Sequence, residues 1–159
     1  MNVEQAERRS FLKRLWLVLG AVAAAELAWV GLSFLRPRRR AGADAGLVVC
    51  GPVDEFAPGS VTAFPAGLFY LARLADGGFL ALHRECTHLG CTVPWSEAEQ
   101  RFVCPCHAST FDITGQVSGP PAPRPLDLLE VRIENGLVKV ATGRRIRRSA
   151  WRPEQAVRA

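Results

Sequence analysis

The chain has 159 residues, of which 48% are hydrophobic, with five cysteines and a formal net charge of +5. Those values exclude a disordered tail, a polytopic membrane protein and a disulfide-dense scaffold. The charge is unevenly placed: residues 1–40 carry eight Lys/Arg against three Glu, residues 41–143 six against eleven acidic groups, and residues 144–159 six Arg against one Glu. A middle segment at −5 argues against nucleic-acid binding, which needs a basic surface to neutralise phosphates.

In chain order, residues 1–14 contain Glu7-Arg8-Arg9-Ser10-Phe11-Leu12-Lys13, a run that resembles the twin-arginine export signal and implies a cytoplasmic start. Residues 15–35 follow with Glu26 as their only charge. At 1.5 Å per residue they make roughly 31 Å of helix, the hydrocarbon thickness of a bilayer. A cleaved signal peptide has a shorter apolar core and an A-x-A-like site. Here Ala21 to Ala25 lie in mid-span and Pro37-Arg38-Arg39-Arg40 follows, so the span is expected to stay as a transmembrane anchor. Glu26 is costly in hydrocarbon; it is either a tolerated polar residue in an Ala-rich helix or a group facing a partner helix. Arginines flank the span on both sides, so the export signal alone sets the head on the periplasmic, extracytoplasmic face of a bacterial cytoplasmic membrane. Residues 36–46, rich in Gly, Ala and Arg, read as a hinge linker.

From residue 47 the texture is that of an all-β, antiparallel head. Phe69–Leu74 and Phe79–His83 flank the turn signal Ala75-Asp76-Gly77-Gly78, and Leu129–Ile133 and Leu137–Val140 alternate on either side of Asn135-Gly136. Arg101–Val103 and Phe111–Val117, the latter turning at Thr114-Gly115, add shorter strands. Cys50 is expected in a strand as a small buried apolar residue, and His83 as a strand-end residue with ordinary solvation. The head is placed at 47–141, and residues 142–159 read as an exposed basic tail, solvated or facing lipid headgroups or a partner.

Four of the five cysteines fall in two short segments, Cys86-Thr87-His88-Leu89-Gly90-Cys91 and Cys104-Pro105-Cys106-His107-Ala108-Ser109. Each joins a Cys and a His at close spacing, a donor set that suits zinc or iron–sulfur chemistry. Either metal leaves two cysteines over, free in an exported protein to join the loops as a disulfide.

The two segments, twelve residues apart, resemble the cluster-binding loops of the Rieske iron–sulfur proteins. In that family two cysteines and two histidines hold the two irons of one 2Fe–2S cluster. The resemblance implies a Rieske-type β-sandwich with a cluster-binding subdomain, Cys86, His88, Cys104 and His107 as ligands, and a Cys91–Cys106 disulfide. It makes the Ser118–Pro125 stretch, with Pro121, a proline loop covering the cluster from a third side. Gly90 then permits close approach of backbone to cluster, and Leu89 shields it from water. Ser109 matches a serine that donates to a bridging sulfide; Phe111 stands where high-potential members carry Tyr, which implies a lower potential, and Ala108 stands where many carry Gly.

The function so implied is electron transfer: His107 or His88 meets a quinol, menaquinol by the Phe111 departure, at a cytochrome b-type subunit. The head then passes its electron to a cytochrome c-type acceptor, as the iron–sulfur subunit of a respiratory quinol–cytochrome c oxidoreductase. The alternative is the small relay subunit of an extracytoplasmic molybdenum oxidase resembling arsenite oxidase.

Overall fold

A charged opening, Glu4–Arg14, followed by a run rich in Ala, Leu, Val and Trp with no proline throughout, makes the first element, α1 (Val3–Leu35). Its segment Glu7–Leu35, 29 residues, is long and apolar enough to cross a membrane. The computed structural model describes residues 3–35 and 46–159, and the helix and the β-rich head are separate compact units. The expected hinge, residues 36–46, lies outside the described residues except for Gly46.

The head's strands are β1 (Leu47–Pro52), β2 (Val61–Phe64), β3 (Phe69–Arg73), β4 (Phe79–His83), β5 (Trp95–Ser96), β6 (Arg101–Val103), β7 (Thr110–Phe111), β8 (Val117–Gly119), β9 (Leu128–Glu134) and β10 (Leu137–Ile146). They form a six-stranded sheet in the order β1-β10-β9-β4-β3-β2 and a four-stranded sheet in the order β5-β6-β7-β8. Every pairing is antiparallel. Local chemistry fixes the two expected hairpins. Asn135 and Gly136 both take positive φ, 53° and 72°, the geometry of a two-residue turn whose twist matches its strands. In the β3–β4 turn, the Gly78 N–H bonds the Asp76 carboxylate at 3.0 Å, and Gly77 adopts a φ of 87°.

Two apolar cores result. One packs Phe69, Leu71, Phe79, Leu129, Val138 and Val140 within the large sheet, with Cys50 half-buried at its edge. The other packs Leu80, Leu82, Phe102, Phe111 and Leu126 between the sheets, and it includes Cys86 and Cys104. Burying each such side chain stabilises by roughly 1.5–3 kcal/mol, so the small sheet is held by its contact with the large one.

The C-terminal residues differ from the exposed tail expected over 142–159. After a bulge between Ala141 and Arg145, β10 rejoins β9, pairing Arg145 with Leu129 and Ile146 with Leu128. Arg148 and Ala156 are buried, and Val157 exchanges both main-chain hydrogen bonds with Phe79, at 2.8 and 3.0 Å. The arginines concealed this: Arg148 is buried because protein acceptors satisfy its guanidinium, a compensation that composition does not reveal. The six Lys/Arg against ten acidic groups of residues 46–143 and the six Arg against one Glu of residues 144–159 therefore sit on one folded head and nearly cancel.

Candidate metal centre

Two loops, one running from β4 of the large sheet to β5 of the small sheet and the other between β6 and β7 of the small sheet, are built alike. In the first, the Cys86 N–H donates to the Cys91 carbonyl at 2.7 Å and the Gly90 N–H to the Cys86 carbonyl at 2.9 Å. In the second, the Cys104 N–H donates to the Ser109 carbonyl at 2.8 Å and the Ala108 N–H to the Cys104 carbonyl at 3.0 Å. The fifth residue of each is left-handed, Gly90 at φ 79° and Ala108 at φ 57°. Glycine reaches that region freely, whereas alanine is disfavoured there by roughly 1–2 kcal/mol.

Cys91 and Cys106 form a disulfide between the loops, with Cα atoms 6.6 Å apart. The sulfurs of Cys91, Cys104 and Cys106 lie within 4.8 Å of one another, but the disulfide consumes two of them. The thiols of Cys86 and Cys104 are free and buried. Burial pushes the Cys86 thiol up. The His88 backbone N–H and the Ser109 hydroxyl, both near its sulfur, oppose that shift, and the adjacent Cys104 side chain reinforces it. His88 and His107 approach edge-on with ring centroids 4.9 Å apart; His88 is half-buried and His107 exposed. Two buried thiols below two imidazoles at the rim are a donor set that fits a 2Fe–2S cluster with chemically distinct irons.

The proline loop between β8 and β9 is pinned to both metal-side loops. Thr87 Oγ1 donates to the Arg124 carbonyl at 2.6 Å, and the Ala122 N–H donates to Ser109 Oγ at 3.0 Å. Ser109 is fully buried, and the Ala122 N–H fixes its hydroxyl oxygen on the side of the site near Cys86. Pro121, in a cis peptide after Pro120, is exposed on this loop. Leu89 is 69% exposed and is no core leucine, while Phe111 is fully buried in the core that contains Cys86 and Cys104.

Two features differ from, or add to, the sequence expectation. His83 does not have ordinary solvation: it is buried, its Nδ1 accepts the Glu85 N–H at 3.2 Å, and burial, aided by Arg145, lowers its pKa. The Ala122 main-chain donor was not anticipated, because a backbone N–H leaves no mark in a sequence.

Comparison with known proteins gives a consistent picture. The Rieske 2Fe-2S domain family matches residues 46–136. The chain is 37% identical over 142 residues to the cytochrome b6-f complex iron-sulfur subunit 1 of Synechocystis, covering 79% of each chain. It is 30% identical over 136 residues to the cytochrome b6-f complex iron-sulfur subunit of Chlorobaculum thiosulfatiphilum, covering 85% of this chain and 75% of the relative. Among solved structures it is similar to the plasma membrane Rieske protein PetC3 from Synechocystis, with 32% identity and a TM-score of 0.49 over 58% of this chain and 97% of that one.

Proposed function

The chain belongs to the Rieske 2Fe–2S family, and on that premise we propose that it takes an electron and a proton from a quinol, menaquinol in preference, at a cytochrome b-type subunit. It passes the electron to a cytochrome c-type acceptor, acting as the iron–sulfur subunit of a quinol-oxidising complex of the cytochrome b6f kind. The observation that carries this reading is the segregation of the site: Cys86 and Cys104 buried, with His88 and His107 paired at the rim.

In this reading Cys86, His88, Cys104 and His107 are the ligands. When bound, the cluster supplies a one-electron couple that two imidazole ligands lift from near −400 mV into a range of roughly −150 to +300 mV. Cys86 and Cys104 keep the sulfur side away from water. His107, and to a lesser extent His88, expose a ring nitrogen that accepts a hydrogen bond from quinol and holds its proton. Leu89 presents an apolar contact beside them, Gly90 leaves room for close approach, and Pro121 stands on the covering loop. The disulfide keeps the two loops in register. The Glu7–Leu35 helix serves as a single-pass anchor, and the Arg8-Arg9 signal places the head on the extracytoplasmic side.

The test is an EPR-monitored redox titration of the full chain at several pH values. A rhombic signal on reduction, with a midpoint potential that falls as pH rises, is expected. No such signal, with zinc found in place of iron, overturns the proposal.

A further inference from the structure

We propose that the C-terminal strap, residues 145–158, is a positioning element for the metal centre and that Arg148 is its central positioning residue. The inference rests on the ligand assignment above and goes beyond it. The strap lies after the 46–136 stretch that the family matches, and it touches the base of the first metal-side loop, the end of the proline loop and the β7–β8 turn that lies in the chain between the second loop and the proline loop.

At the first loop, Arg145 Nη1 pairs with Glu85 Oε2 at 2.6 Å, one residue before Cys86. At the turn between β7 and β8, the Trp151 N–H donates to Gln116 Oε1 at 2.8 Å, and Arg148 Nη2 donates to the Thr114 carbonyl. At the proline loop, Arg148 Nε donates to the Leu126 carbonyl at 2.8 Å. The third arm of the same guanidinium, Nη1, reaches Gln155 Oε1 at 2.9 Å within the strap itself. Arg148 is 7% exposed. A buried guanidinium requires partners in fixed directions, so it holds the Thr114 and Leu126 carbonyls at a set separation.

That separation matters because the Thr114 carbonyl stands in the turn that joins β7 to β8 and the Leu126 carbonyl at the end of the proline loop, which is bonded to Ser109 of the second loop. The Leu126 N–H already bonds the Gly115 carbonyl at 2.9 Å, tying that turn to the end of the loop. Four residues earlier on the proline loop, the Ala122 N–H bonds Ser109 Oγ, a fully buried hydroxyl of the second metal-side loop. The packing leaves no slack: a Cβ on Gly115 would lie 2.7 Å from Arg148 Nη2, 2.8 Å from Leu82 and 3.2 Å from Leu126. Arg148 thus acts on the metal centre through the proline loop and Ser109, without touching it.

The experiment uses the full chain in detergent, comparing Arg148→Gln, Arg148→Lys, Arg145→Gln and a control, Val138→Ala, in the core remote from the loops. Hydrogen exchange at the Leu126 and Ala122 amides and the EPR signal and midpoint potential of the reduced centre are read together. Arg148→Gln is expected to speed exchange at both amides at least tenfold, to broaden the signal and to shift the potential. Arg148→Lys, which still reaches one carbonyl, recovers part of each change. Val138→Ala lowers the melting temperature but leaves all three readouts in place. Arg145→Gln, an exposed change the fold tolerates, speeds exchange at the Cys86 amide; if Arg148→Gln fails to fold, this variant decides. Unchanged exchange and signal in Arg148→Gln, or equal changes in the Val138→Ala control, overturn the proposal, as does unchanged Cys86 exchange in Arg145→Gln. A wild-type chain without the rhombic signal refutes the ligand assignment instead, and the exchange measurements still report on the strap.

Discussion

Phe111→Tyr places a single hydroxyl in the core that contains Cys86 and Cys104. Phe111 is fully buried, so water does not compete for the new donor. The Ser109 hydroxyl already lies near the Cys86 sulfur, and tyrosine adds a second hydroxyl to the thiolate side. A net hydrogen bond of about 1 kcal/mol that is stronger in the reduced state raises a one-electron potential by roughly 40 mV. If the hydroxyl finds no sulfur, an unsatisfied buried polar group destabilises the head by roughly 1–3 kcal/mol and leaves the potential unmoved. Redox titration followed by EPR, paired with a thermal melt of the same sample, separates the two. An upward shift with little loss of melting temperature is expected. A lowered potential refutes the reasoning, and an unchanged potential with a lower melting temperature makes Phe111 a plain core aromatic.

His107→Ala is expected to abolish the rhombic signal, whereas Cys91→Ser leaves it formed but fragile; removing a cross-link between residues fifteen apart costs roughly 3 kcal/mol, read as faster bleaching on heating. If Cys91→Ser behaves as a ligand knockout while Cys86→Ser does not, the division into ligands and disulfide is wrong. Ala108→Gly relieves a left-handed alanine and Gly90→Ala creates one with open space around its Cβ. After the unfolded-state effect of about 0.4–1 kcal/mol, which opposes the relief, the first stabilises and the second destabilises by roughly 0.5–1 kcal/mol; melts shifting in the same direction contradict this. Burial lowers the His83 pKa below its ordinary 6.5, so on acidification the unfolded chain takes the proton first. Its contribution to stability is present above that value and is lost as pH falls toward the folded pKa. His83→Asn, which keeps an acceptor for the Glu85 N–H, should remove the early acid limb of a melting-temperature profile; superimposable profiles rule it out.

Where a single residue type dictates a local conformation, the sequence is easily read. Asn135-Gly136 and Asp76-Gly77 announce hairpins because few other pairs tolerate their backbone angles. The two Cys/His segments announce a metal site because soft donors at that spacing have few other uses. What was hidden is non-local. Arg148 looks like solvent-facing charge until Leu126, Thr114 and Gln155, 22, 34 and 7 residues away, supply its acceptors. His83 looks like a strand end until burial removes its water. The Ala122 N–H carries no sequence signal, and its use depends on the proline loop folding back on Ser109.

The matched frames of the two loops account for the inequality of their histidines. Each frame runs six residues from a buried cysteine, closed by the same pair of main-chain hydrogen bonds. His88 is third in its frame and His107 fourth, because the third position of the second loop is Cys106. The sixth position of the first loop is Cys91, its counterpart in the second being Ser109. The disulfide therefore crosses from third position to sixth and breaks the equivalence that the backbone sets up. It leaves the sixth position of the second loop to a hydroxyl near the Cys86 sulfur. It also displaces the histidine of that loop one residue outward, from half-buried to exposed. Of the two imidazoles at the rim His107 is the more exposed, and Leu89 of the first loop is exposed as well. The thiolate side remains closed beneath the proline loop that Ser109, Thr87 and Arg148 hold in place.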